Sequence, residues 1–168
     1  MDIGLLLLRL ALAALLMGHA AQKSLGWFRG ASLEGTASMF HSLGFRPARP
    51  MVVLASVSEA VAAVLILLGL LTPLGTAIAV GTMTVAASAN AEKGLWAHHG
   101  GYEVALVYAL IAAALGFTGP GAYSLDALLG QSAPPLWAGA GAVVLGLAAA
   151  VPVLLRRRGA LRGTEAAD

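Results

Sequence analysis

Two charged residues stand inside long apolar runs: Arg9 within LLLLRLALAALL and Glu59 within MVVLASVSEAVAAVLILLGLL. A charge in hydrocarbon costs on the order of 3 kcal/mol on insertion scales, so each must be paired or hydrated. At 1.5 Å per residue, Arg9 lies about 9 Å from the start of its run and Glu59 about 12 Å from the end at which its own run begins. These depths meet if the two helices are neighbours, which predicts a buried Arg9–Glu59 ion pair. Such a pair either fixes the register of two helices or leaves a carboxylate placed for proton transfer or ligand binding.

A second polar group gathers at the ends of the runs: His19, Gln22 and Lys23 after the first, Asn90 after the third, and His98, His99, Tyr102 and Glu103 before the fourth. At about 100° per residue, Lys23 lies about 40° and His19 about 80° round a helix from Arg9. The three share one sector, which predicts an internal cleft running from mid-helix to one end. Glu59 and Glu103 are the candidate catalytic acids and bases. Arg9, His19, Lys23, Asn90 and Tyr102 are the candidate ligand-binding residues. Taken singly, Lys23, His98 and His99 read as polar tips reaching the interface from helix ends. His98 and His99 with Glu103 are a weak metal signature and no metal site is expected, nor does the histidine spacing suit a transmembrane haem. Phosphate-loop, nucleophile-elbow and HExxH patterns are absent. With no cysteine in the chain, disulfides, thiolate ligands and cysteine nucleophiles drop out.

The elements that must hold these residues follow from composition. The 168 residues are 59% hydrophobic and only 11% charged, with a mean hydropathy of +0.85. A soluble domain carries roughly 25% charge, so the excess apolar area must face lipid. Five apolar stretches, residues 3–21, 51–71, 73–91, 102–118 and 136–155, approach the roughly 20 residues that a helix needs to cross hydrocarbon. Helix satisfies its own backbone there, and none of the five alternates with the period of a barrel strand. The first lacks the basic n-region of a secretory signal and reads as a retained helix. Thr72-Pro73 parts the second and third as a tight hairpin.

Nine of the ten Lys and Arg fall in segments that five crossings place on one side, the tenth being Arg9. This puts the N-terminus outside and the C-terminus in the cytoplasm. The basic pI of 9.4 is therefore topological, and nucleic acid is not an expected partner. Trp27 and Trp96 fall near the inner boundary and Trp137 near the outer. Between spans one and two, Leu33, Thr36, Ala37, Phe40 and Leu43 recur at helical spacing, predicting a short amphipathic helix in the inner interface. Ala77-xxx-Gly81 and Ala142-xxx-Gly146-xxx-Ala150 are small-residue faces that let helices approach closely, within the bundle, with a protein partner or in a homo-oligomer. The polar tail from residue 159 is expected to be disordered.

The order and spacing of several elements resemble the DoxX family of small bacterial membrane proteins. They are Leu7-Leu8-Arg9-Leu10, Gly18-His19-Ala20-Ala21-Gln22-Lys23, Leu25-Gly26-Trp27-Phe28, Leu33-Glu34-Gly35-Thr36, Glu59 before Gly69-Leu70-Leu71-Thr72, Gly100-Gly101-Tyr102-Glu103, and Gly119-Pro120-Gly121-Ala122-Tyr123-Ser124-Leu125-Asp126. The similarity covers about residues 3–129. It implies an all-α membrane protein with a four-helix transmembrane core over residues 1–130, to which this chain adds a fifth transmembrane helix over 131–158 and the tail 159–168. The family is named for a subunit of thiosulfate:quinone oxidoreductase. The resemblance thus implies a multi-pass protein of the bacterial inner membrane, a subunit of a quinone-linked redox complex. Quinone would be its cofactor, and a protein partner would supply the electrons. Arg9, Glu59 and Glu103 match family positions. The alternative is a non-enzymatic membrane scaffold or assembly factor whose buried charges only hold the helices together.

Overall fold

The computed structural model describes residues 1–131 and 134–165. Seven α-helices form among them: α1 (Asp2–Leu25), α2 (Ser32–Ser42), α3 (Ala48–Leu68), α4 (Thr72–Asn90), α5 (Glu103–Thr118), the single turn α6 (Leu125–Leu128) and α7 (Leu136–Glu165). Four of them, α1, α3, α4 and α7, are long and apolar enough to cross a membrane. The expected fourth crossing, α5, is apolar but has 16 residues, about 24 Å at helical rise.

Helices α1, α3, α4 and α5 close into a ring, each packed on the next, and α7 lies outside it against α4 and α5. Each buries one stripe. On α1 it is Arg9, Leu12, Ala13, Leu16 and Ala20, and on α3 it is Val52, Ser56, Glu59, Ala62, Ala63 and Ile66. The three- and four-residue spacing puts each set on one face. The opposite faces expose leucine and valine, for example Leu7, Leu15, Val57, Val64 and Leu145, as lipid contact demands. The core between them is Leu12, Leu16, Ile66, Val80, Met83 and Leu115, with small alanines at the closest approaches.

The two small-residue faces meet each other. A Cβ on Gly81 would lie 2.8 Å from the Gly146 carbonyl oxygen, and one on Gly146 only 2.5 Å from that of Ala77. Backbone therefore touches backbone where α4 crosses α7, which in lipid supplies the dispersion contact that holds helices together. Thr76 of α4 reaches α5 by donating its hydroxyl to the Ala112 carbonyl at 3.0 Å.

Helix α2 falls where the periodicity places it. Helix α7 runs further than expected, continuing through Arg156–Arg158 to Glu165, so residues 159–165 are helical and not a disordered tail; 166–168 lie outside the described residues. Part of the reason is packing. Leu161 sits against Gly44, and the Arg157 guanidinium donates to the carbonyls of Leu43 and Ser88 and lies 5.4 Å from the Phe45 ring centre. These contacts carry the helix beyond its apolar part.

Candidate functional site

Arg9 and Glu59, expected to pair, serve opposite ends of the bundle. Arg9 is 2% exposed, and its guanidinium is spent on backbone. Nε donates to Ile66 O at 2.9 Å, Nη2 to Leu67 O at 2.6 Å, and Nη1 to Pro120 O and Tyr123 O at 2.9 and 2.7 Å. Two acceptors are carbonyls in the last turn of α3, where intrahelical donors run out, and Ile66 O also accepts from the Gly69 amide. The other two belong to the loop after α5. Gly69 caps α3 with φ of 58°, and a Cβ there would come within 2.6 Å of Arg9 Nη2. Glycine is required here both for the left-handed turn and for the guanidinium's approach.

Asp126 completes this end. Its carboxylate accepts from the amides of Leu71 and Thr72 at 2.8 and 2.9 Å and from the Thr72 hydroxyl at 2.7 Å, and its own amide donates to Gly69 O. A cation thus closes the C-terminus of α3 and an anion the N-terminus of α4, the signs that the helix dipoles favour. Asp126 is 4% exposed. The signal that it is structural was the loop of glycines and Pro120 before it, which folds it back on the α3–α4 hairpin. Every nitrogen of the guanidinium thus donates to a backbone carbonyl, and Arg9 stands at the end of the bundle away from Lys23 and Glu59.

Glu59 pairs with Lys23. The carboxylate is 1% exposed and the ammonium side chain 20%, and among the described residues only one carboxylate oxygen is taken: Oε2 has no hydrogen-bond partner there, and neither has Ser56 Oγ one turn away. Lys23, read singly as an interfacial tip, turns inward, because α1 packs along α3 and brings the end of its polar sector to Glu59 instead of to water.

The pair lies in the wall of a cavity of about 440 Å³. Its floor is α4 (Ile78, Gly81, Thr82, Val85), its walls are α3 (Leu54, Ser58) and α7 (Ala150, Val153), and Phe40, Leu43 and Phe45 close one end. Asn90 also lines it. A few convergent polar groups in an otherwise apolar hollow of this size are what a small-molecule site requires. The free Glu59 oxygen accepts or, when protonated, donates, Lys23 donates, and the Asn90 amide does both.

Of the other candidates, His19 is half-buried with its ring edge-on to Tyr108 at 5.7 Å. Tyr108, which sequence reasoning passed over, lies within electrostatic reach of Glu59. Nothing but its place in an apolar helix could have flagged it. Glu103 and Tyr102 are not brought to the cavity. Glu103 Oε2 accepts from the Ala97 amide at 2.8 Å, and the backbone amides of Tyr102 and Glu103 donate to Gly94 and Leu95. Both pin the loop between α4 and α5. The expected catalytic role of Glu103 has no support in this geometry. His98 and His99 stand exposed on the same loop, rings 4.0 Å apart.

The DoxX family model matches residues 4–99. The match ends just before Gly100-Gly101-Tyr102-Glu103 and takes in Lys23, Glu59 and Asn90. No curated protein and no solved structure matches the chain.

Proposed function

The chain belongs to the DoxX family, and from that premise we propose that it is the membrane subunit of a quinone-linked redox complex, with the quinone ring held beside Lys23 and Glu59. It is a multi-pass membrane protein. In this reading it sits in the bacterial inner membrane with its basic end in the cytoplasm, where the Lys and Arg distribution puts it. The single observation that carries the proposal is the unpartnered oxygen of a fully buried Glu59, ion-paired on its other side, in the wall of an apolar cavity. A buried carboxylate oxygen left without a donor is expensive, and a ligand hydroxyl or a proton removes the penalty.

A bound quinone would accept two electrons and two protons in becoming a quinol. Lys23 donates a hydrogen bond to one carbonyl oxygen and favours negative charge developing there. Glu59, with its second oxygen free, is placed to hand on a proton and recover it. Asn90 orients the ring from the end of α4. Electrons come from a protein partner.

The scaffold reading draws its support from Arg9 and Asp126, whose charges are entirely engaged in tying helix ends. Organic-solvent extraction of protein purified in mild detergent separates the two. Quinone is expected with the native chain and at less than about a tenth of that level in Glu59→Gln and Lys23→Met. A native protein without quinone, together with variants that merely unfold, would leave the scaffold.

A further inference from the structure

We propose that the cavity is entered from the lipid, between α3 and α7, and is sealed from water at the basic end by a cap built from α7, so that its ligand is a membrane-borne amphiphile. The proposal rests on the cavity described above but not on its occupant being a quinone.

Three observations converge on it. First, α3 and α7 each pack along α4 and leave the hollow between them, and Leu54 and Ala149 on its lips are exposed within the apolar part of their helices. Such surface faces acyl chains. Second, the basic end is shut by residues far apart in the chain. Phe45 is 3% exposed and stacks with Phe40 at 5.2 Å. The Arg157 guanidinium lies against Phe45 and donates to Leu43 O at 2.8 Å and Ser88 O at 3.0 Å. It thereby ties α7 to the turn after α2 and to the end of α4. Leu161, one turn on, fills the space over Gly44, whose φ of 83° lets the chain turn beneath it. Third, α7 supplies both a wall (Ala149, Ala150, Val153) and the cap, although it lies beyond the residues that match the family. The added helix completes the site.

The neighbours of Arg157 separate its role from that of a plain interfacial charge. Arg156 and Arg158 are exposed, and Arg157 alone of the three is half-buried. Interfacial anchoring asks nothing of which arginine points inward; a cap does.

The chain has no cysteine, so a single Ser58→Cys, on the α3 wall, reports access to the cavity. The full-length protein in lipid nanodiscs, both faces open to water, is treated with a lipid-soluble maleimide or a charged thiosulfonate. The maleimide is expected to label Cys at position 58 and the charged reagent to be excluded. Arg157→Ala is expected to raise the charged reagent's rate about tenfold, Leu161→Ala to raise it as well, and Arg158→Ala to leave it unchanged. Melting curves identify any variant that has unfolded. A charged reagent that reaches the site equally in the native cap and in both loosened ones overturns the seal. A folded protein that neither reagent labels overturns the lateral entrance. Absence of extractable quinone bears on neither result.

Discussion

At the scale of single residues, the molecule puts its buried charges to two uses. Arg9 donates to four carbonyls, two in the last turn of α3 and two in the loop after α5, so its removal takes a donor from all four at once. Arg9→Met is expected to destabilise by about 3 kcal/mol or more, read as a fall in the thermal midpoint in detergent. Arg9→Lys should recover little, because one ammonium cannot reproduce the planar fork. A native-like melt for Arg9→Lys would contradict this assignment. Lys23 behaves differently, since its partner is a charge. Lys23→Met strands a buried carboxylate and should cost about 2 kcal/mol or more, whereas Lys23→Met with Glu59→Leu should restore most of the stability. The double variant, folded but unable to hold the ligand, marks the pair as a binding device. If the double variant melts lower than the single one, the pair is structural.

At the scale of helices, the crossing of α4 and α7 sets the shape of the cavity. Gly146→Val places side-chain atoms where the Ala77 carbonyl lies 2.5 Å from a mere Cβ, and should destabilise by about 1–3 kcal/mol through overpacking. Gly141 lies on the same helix with nothing within 4 Å of its missing Cβ. There, Gly141→Ala should be neutral or raise the melting temperature by helix propensity alone. Opposite signs at two glycines five residues apart are a sharp test of which face of α7 is buried. Equal effects would mean that the crossing is elsewhere.

At the scale of the molecule, the placement of the basic residues makes a topological prediction. Cysteine placed beside Arg158 should react with an impermeant reagent only in inside-out vesicles, and one beside Asp2 only in right-side-out ones. The reverse pattern would invert the entire reading, cavity included.

Much of the architecture was legible along the chain, because lipid makes a simple demand. Apolar runs of bilayer length, parted by Gly69–Pro73 and by Gly100-Gly101, have no other way to satisfy their backbones. Their limits therefore fell within a few residues of α1, α3, α4 and α5. The small-residue faces were visible too, though not that they would meet one another. The α7 overrun was not legible, because Arg156–Arg162 reads as a polar tail until Phe45 and Gly44 are there to receive Arg157 and Leu161.

What the sequence determined by itself was that Arg9 and Glu59 must each find polar partners or water, since a bare charge in hydrocarbon is too costly. Which partners do it was decided by tertiary structure. Depth along a helix is a local quantity, readable at a fixed rise per residue. The identity of a neighbour depends instead on how helices rotate and which loop folds back. The Arg9 guanidinium found backbone carbonyls in a segment more than a hundred residues away, leaving Glu59 to Lys23 and one oxygen open to the cavity.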